Sequence, residues 1–254
     1  MQKKQEEKRS FGLLGRQISY SFSRGYFSDK FEKLNLVNCS YENFDLESID
    51  DLTALLNERA DLAGLNVTIP YKEAVIAYLD ELDPEAAEIG AVNTIKFLKN
   101  GHLKGYNTDC YGFEESLKPL LTTVPKKALI LGTGGASKAI DFVLKKMNIT
   151  TLFVSRNPRE ENQISYSEIS SELLRDSKII VNCTPLGTYP NTDDCPDINY
   201  MQLTKDHLLY DLIYNPEETL FLKKGRQQGA KTLNGLKMLE LQAEKAWDIW
   251  AAKK

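Results

Sequence analysis

The stretch Leu129-Ile130-Leu131-Gly132-Thr133-Gly134-Gly135-Ala136-Ser137-Lys138 decides the reading of this chain, because an apolar strand runs into glycines and helix-forming residues follow at once. Gly132 and Gly134 carry no side chain, so the backbone turns sharply there and can approach a pyrophosphate. The helix that follows offers unpaired N–H groups and the positive end of its dipole to the anion. Thr133, Gly135 and Ala136 are counted with this candidate cofactor site. Glycine-rich turns also occur in α/β domains that bind nothing, so the flanking sequence has to arbitrate.

Strand and helix signals alternate from Lys126 onward. Apolar Ala128 to Leu131, a helix from about Gly135 to Met147 and a strand Thr151 to Val154 make a βαβ unit. A helix near Ser167 to Arg175, a strand Lys178 to Asn182 and a Pro- and Asp-rich connection come next. A strand Leu208 to Leu212, a helix from about Pro216 to Gln228, a strand Lys231 to Leu233 and a last helix from about Leu236 to Ala252 complete the pattern. It predicts a parallel sheet covered by helices on both faces.

The first half is less uniform, with strands expected at Phe11 to Leu14, Leu36 to Cys39, Leu62 to Leu65, Val92 to Phe97 and His102 to Tyr106. Asn100-Gly101 makes the last two a hairpin, and an antiparallel pair in an α/β pattern implies a separate sheet. The boundary falls near Tyr106, with a bridging helix from Thr108 to Leu120. Leu236, Leu239, Ala243, Trp247 and Trp250 share one face of the last helix, a face able to pack on either domain. Residues 237–254 are assigned to the first domain. The expected fold class is therefore α/β, with an N-terminal α/β substrate domain (1–106) and a C-terminal Rossmann-like dinucleotide-binding domain (107–236).

Composition narrows the function. The chain has 254 residues, 42% hydrophobic and 27% charged, which is globular composition, and no apolar run approaches the roughly 20 residues that span a bilayer. The net charge is −4 with both signs interspersed, so no broad cationic face exists for a nucleic-acid backbone. Four scattered cysteines (Cys39, Cys110, Cys183, Cys195) form neither metal knuckles nor a disulfide framework. Cys110 and Cys183 read as buried small residues without chemistry. The first ten residues read as a frayed polar leader without a secretory signal. These features imply a reduced, cytoplasmic protein that binds neither nucleic acid nor membrane.

The second strand of the βαβ unit ends in Val154-Ser155-Arg156-Asn157, with no carboxylate until Glu160. An acid there would bind a free ribose 2′-hydroxyl; a guanidinium instead pairs with a 2′-phosphate in forked geometry. NADP(H) is thus favoured over NAD(H), the alternative being that Arg156 is a solvated loop cation. In the first half, Gly64 to Lys72 and Gly105 to Asp109 place polar side chains at strand ends, where they can face a cleft. Lys72 and Asp109 could form a proton-handling pair or be solvated surface charges.

These segments together resemble the shikimate dehydrogenase family, and matching stretches run from Leu14 to Gln242. They are Ser21-Phe22-Ser23, Asn66-Val67-Thr68-Ile69-Pro70-Tyr71-Lys72, Gly90-Ala91-Val92-Asn93-Thr94, Gly105-Tyr106-Asn107-Thr108-Asp109, Gly132 to Ser137, Asn182-Cys183-Thr184-Pro185-Leu186-Gly187, Asp211-Leu212-Ile213-Tyr214-Asn215-Pro216, and Gly235 to Leu239 with Gln242. The resemblance implies reversible NADPH-dependent reduction of 3-dehydroshikimate to shikimate in aromatic amino-acid biosynthesis, without a metal. It assigns Lys72 as the residue that moves the proton and Asp109 as its partner carboxylate. Ser21 and Ser23 match the hydroxyls that bind the substrate carboxylate. Asn66, Thr68, Asn93 and Gln242 match groups that hold the ring hydroxyls, and Tyr214 matches a tyrosine near the substrate carboxylate. Gly235 matches a glycine near the nicotinamide, and Ser155, Arg156 and Thr184 count with the cofactor site.

Bland readings stand beside these: Ser21 and Ser23 as helix caps, Gln242 as an exposed polar residue, Tyr214 as a packing aromatic. The chain also departs from the family. Arg24-Gly25-Tyr26-Phe27 replaces a Pro and a following His-Asn pair, Tyr20 stands where His is common, and Lys138 replaces an Arg. In the NADP-selecting turn, Ser155-Arg156-Asn157 replaces Asn-Arg-Thr. The alternatives are a quinate/shikimate dehydrogenase with NAD or relaxed cofactor use, or a catalytically silent dinucleotide sensor. A monomer or homodimer is expected.

Overall fold

The computed structural model describes residues 8–18 and 21–252. Tyr20 and most of the polar leader lie outside the described residues. The chain divides into two compact units, one holding the residues up to Thr108 with those from Ala243 on, the other Asp109–Gln242.

The first unit has strands β1 (Arg9–Gly15), β2 (Cys39–Asp45), β3 (Leu62–Val67), β4 (Glu81–Leu82), β5 (Thr94–Phe97) and β6 (Leu103–Tyr106), and helices α1 (Phe22–Lys33), α2 (Leu52–Glu58) and α3 (Pro84–Ile89). The sheet order is β2-β1-β3-β5-β6-β4. β1 runs parallel to β2 and β3, whereas β5 is antiparallel to β3 and β6, so the hairpin expected at Asn100-Gly101 is present. The leader does not extend to Ser10: Arg9 and Ser10 belong to β1, and the buried Ser10 hydroxyl donates to Asp61 Oδ2 at 2.6 Å. The second strand is also displaced from its expected place. Leu36 and Val37 form the turn ahead of β2, with Val37 96% exposed, because β2 is an edge strand that buries only Tyr41 and Phe44.

The second unit has strands β7 (Lys127–Leu131), β8 (Thr150–Val154), β9 (Gln163–Ile164), β10 (Ser177–Asn182), β11 (Leu208–Asp211) and β12 (Lys231–Leu233). Its helices are α4 (Asp109–Leu117), α5 (Gly135–Lys146), α6 (Ser171–Asp176) and α7 (Leu220–Gln227). All its pairings are parallel, in the order β12-β11-β10-β7-β8-β9. The chain builds outward from β7 in one direction through β8 and β9, then returns to build outward through β10. The strand order therefore reverses between β7 and β10, and such a switch point leaves a crevice beyond the strand C-termini where ligands bind.

The last helix, α8 (Leu236–Ala251), begins in the second unit and ends in the first. Its buried face is Met238, Gln242, Ala243, Ala246 and Trp250, and Leu236 is exposed. The C-terminal turns join the first unit's aromatic cluster: the Trp250 ring lies 4.9 Å from that of Phe11 and 5.3 Å from that of Phe27. Trp250 Nε1 donates to Ile95 O at 3.0 Å, and the indole sits so close to Gly64 that no Cβ would fit there. Lys96, nearly buried, closes the helix end by donating to the carbonyls of Ile249 and Ala252, filling acceptors a helix terminus otherwise leaves open.

Candidate active site

In the first unit, β1, β3 and β6 point the same way and β5 the opposite way. One end of the sheet therefore carries the C-termini of β1, β3 and β6 and the N-terminus of β5. Ser21, Asn66, Thr68, Lys72 and Asn93 all lie within a few residues of that end. Ser21 is the N-cap of α1, its hydroxyl accepting from Ser23 N at 3.1 Å. The capping role is thus present, and α1 has no acidic residue in its first turn, which leaves the helix dipole available to an anion.

Behind Ser23 runs a buried chain of hydrogen bonds. Tyr41 donates to Asn66 Oδ1 at 2.8 Å, and Asn66 Nδ2 donates to Thr94 Oγ1 at 3.2 Å and Asn93 O at 3.3 Å. Thr94 Oγ1 donates to Asn93 Oδ1, which also accepts Thr108 N at 2.7 Å and Thr108 Oγ1 at 3.1 Å. Ser23 also bonds the Tyr41 hydroxyl. Because the single phenolic hydrogen already serves Asn66, Ser23 is the donor in that bond. Burial raises the Tyr41 phenol well above its ordinary range, so it stays protonated. Asn66 and Asn93 therefore have fixed amide orientations.

Lys72 follows a tight turn in which Tyr71 N donates to Thr68 O at 2.9 Å. Tyr71 is buried with its hydroxyl on Leu46 O, and Lys72 O accepts Val92 N at 2.7 Å, so the lysine backbone is pinned on both sides. Its side chain is half-buried.

In the second unit, Gly132 follows β7 at the switch point with φ +104°, a conformation that favours glycine. A Cβ there would press on Thr184 Cγ2 at 3.1 Å and on the Cys183 carbonyl. Gly132 N donates to Val154 O at 2.8 Å, tying the loop to the strand that delivers Ser155 and Arg156. Gly134 is the N-cap of the 12-residue α5 and faces open space. No side chain caps that helix, no acid stands in its first turn, and Lys138 adds a cation there. Thr133 is exposed, Gly135 and Ala136 are half-exposed, and Arg156 is exposed. This arrangement fits a dinucleotide pyrophosphate.

Thr184 donates twice to Asn182 Oδ1, from N at 3.0 Å and Oγ1 at 2.6 Å. Gly235 packs so tightly on Leu212 that a Cβ would lie 2.1 Å from its carbonyl oxygen, and its N–H bonds Ile213 O at 3.0 Å. Asp109 opens α4 and is buried, and Tyr214 is half-buried. Gln242 is buried, with its backbone and Cβ against Gly112. Asp109, Tyr214 and Gln242 belong to the second unit, Lys72 and the two serines to the first. Cys183, expected to be buried, is half-buried as a residue, while its thiol is shielded from solvent. No motif marks Tyr41 in the sequence, and Asn182 and Asp211 sit inside motifs whose residues do not by themselves reveal a role for them. No cluster of potential metal ligands occurs among the described residues.

A glycine loop at the switch point of a parallel sheet, in one chain with a sheet end that gathers amides, hydroxyls and a lysine, defines a dinucleotide-dependent oxidoreductase built as two α/β units. A family model described as "Shikimate dehydrogenase substrate binding domain" matches residues 13–95. The shikimate dehydrogenase (NADP(+)) of Methanosphaera stadtmanae is 37% identical over 260 residues, 95% of this chain and 91% of that protein. The solved structure of shikimate 5-dehydrogenase from Thermus thermophilus, in complex with NADP(H) and shikimate, is similar with a TM-score of 0.84 at 32% identity, over 96% of this chain and 93% of the other. Quinate dehydrogenase from Corynebacterium glutamicum, in complex with NAD, is similar with a TM-score of 0.85 at 26% identity, over 96% and 94%. The chain belongs to the shikimate dehydrogenase family.

Proposed function

We propose that this chain catalyses the reversible, NADPH-dependent reduction of 3-dehydroshikimate to shikimate, a step of aromatic amino-acid biosynthesis. What carries the reading is a likeness to NADP-dependent shikimate dehydrogenases that runs through both units, over 95% of the chain. Residues 1–106, with those from about 237 on, bind substrate and do the chemistry, and residues 107–236 bind NADP. The protein acts in the cytoplasm as a monomer or homodimer. No helix among the described residues is long and apolar enough to cross a membrane.

Bound NADPH supplies the hydride that reduces the ketone carbon. Lys72 gives a proton to the oxygen as negative charge grows there and recovers it in the reverse direction, and Asp109 is its carboxylate partner. Ser21 and the first turn of α1 hold the substrate carboxylate, with Ser23 beside them. Thr68, Asn66, Asn93 and Gln242 serve the ring hydroxyls, and Tyr214 the carboxylate. Small neutral donors and acceptors suit a polyol acid, because a substrate lacking a hydroxyl would leave them unpaired. Gly132, Thr133, Gly134, Gly135, Ala136, Thr184 and Gly235 take the pyrophosphate and nicotinamide side, and Ser155 and Arg156 the 2′-phosphate.

Absorbance at the reduced-nicotinamide band, with shikimate or quinate and either NADP⁺ or NAD⁺, tests the proposal. Rapid reduction of NADP⁺ by shikimate is expected. A large preference for quinate with NAD⁺ would replace the substrate and cofactor assignment, and NADPH binding without turnover would mark a sensor.

A further inference from the structure

Asn182 and Asp211 end the neighbouring strands β10 and β11 and stand side by side in the register. Both are fully buried, and Asn182 is also in register with Leu131, the residue before the glycine loop. No ion pair involves Asp211 among the described residues; its partners are all neutral. Asp211 Oδ1 accepts Asn182 Nδ2 at 3.0 Å and Ile213 N at 3.0 Å, and Oδ2 accepts Thr219 Oγ1 at 2.6 Å.

A carboxylate only accepts, so it forces the Asn182 amide to turn its nitrogen inward and its oxygen outward. That oxygen is the one that takes both hydrogens of Thr184. On the other side Ile213, fixed through its N–H, receives Gly235 N on its carbonyl. One buried carboxylate thus sets two backbone segments, the Thr184 turn over Gly132 and the Leu212–Gly235 contact.

We infer that Asp211 and Asn182 are positioning residues for the cofactor: the pair fixes the Thr184 turn and Gly235 in the geometry a bound dinucleotide requires, without touching it. The inference rests on the reading above that Thr184 and Gly235 line the NADP site.

Four proteins test it, with NADPH affinity read by fluorescence titration and shikimate affinity by calorimetry. Asp211→Ala removes both acceptor oxygens and with them all three hydrogen bonds, and is expected to weaken NADPH binding ~10-fold or more, with shikimate affinity kept. Asp211→Asn can keep its oxygen toward Asn182 and Ile213 and donate to Thr219, so it is expected to stay within a few-fold of wild type. Asn182→Asp sets two buried carboxylates in contact. They share one proton, and the protonated form imitates the amide. Its NADPH affinity, relative to wild type at the same pH, is expected to fall as pH rises from 7 to 9. The titratable groups whose fields couple to Asp211 are Cys183 and Tyr200, both pushed by burial above that window.

If Asp211→Ala does not fold, the pH course of Asn182→Asp decides alone. NADPH affinities within twofold of wild type in Asp211→Ala and in Asn182→Asp at every pH would overturn the inference. So would a parallel loss of shikimate affinity, which would make the pair a general stability element. Failure of wild type itself to bind NADPH would overturn the reading on which the inference rests.

Discussion

At the scale of single residues, the roles proposed for Lys72 and Arg156 are opposite, one acting on a proton and the other on a fixed anion. Lys72 has its backbone pinned by Tyr71 and Val92, so Lys72→Ala removes the ammonium and keeps the turn that presents it. Turnover is expected to drop ~10²-fold or more with NADPH affinity unchanged; unchanged turnover would exclude Lys72 as the acid. Arg156 is exposed on the loop that follows β8, and its proposed partner is the 2′-phosphate of NADP. A charge-assisted fork of this kind contributes roughly 1.5–3 kcal/mol. Arg156→Ala should therefore raise KM for NADP⁺ by about 10- to 100-fold and leave KM for NAD⁺ nearly constant; an equal rise for both would show that Arg156 does not read the 2′-phosphate. Ser23 is a subtler case: its proton is given to Tyr41, so the proposed carboxylate contact would require that hydroxyl to leave Tyr41.

Among the elements, legibility followed the strength of the local signal. The β7–loop–α5 segment was readable because apolar residues, glycines and helix formers succeed one another without interruption, and the β5–β6 hairpin because Asn100-Gly101 favours one turn geometry. β2 was misplaced because its sequence, Cys39-Ser40-Tyr41-Glu42-Asn43-Phe44-Asp45, is mostly polar, as suits an edge strand. That polarity also hid Tyr41, the residue that links Ser23 to Asn66. β4 and β9 are two residues long and leave no periodicity. Helix α7 starts at Leu220, not near Pro216, because Thr219 takes the cap by accepting Leu222 N. The glycine and Asn-Thr motifs stand out in the sequence, whereas the three neutral hydrogen-bond partners of Asp211 come from separate segments and leave no local signal. For α8 the packing gives a direct expectation. Trp250→Ala would empty the space between Phe11, Phe27 and Gly64 and strand the Ile95 carbonyl. It should cost about 3–5 kcal/mol in urea unfolding; a loss under 1 kcal/mol would mean that the helix end is not held by this contact.

For the molecule as a whole, two buried titratable groups in the second unit pull stability in opposite directions as pH changes. His207 is 1% exposed. Its Nδ1 accepts Thr204 N at 3.0 Å, so Nε2 carries the hydrogen and donates to Leu174 O at 3.1 Å. Burial lowers its pKa below the ordinary 6.5. Below pH 6.5 the unfolded chain takes up a proton that the folded chain refuses, so stability falls as pH falls. Asp211 is raised by burial from 3.8 to about 6. Between pH 4 and 6 the folded chain holds a proton that the unfolded chain has released, so this group's contribution falls as pH rises, by on the order of 3 kcal/mol. Variants separate the two. The stability gap between wild type and His207→Gln should narrow as pH is lowered from 8 to 5, because only wild type suffers the acid loss. Against Asp211→Asn, which carries no charge to desolvate, wild type should gain stability as pH is lowered from 7 to 4. Urea midpoints across pH 4–8 read both slopes. Parallel curves for wild type and Asp211→Asn would show that the buried carboxylate is solvated well enough to titrate as it does in the unfolded chain, and the opposing slope would have to come from another group.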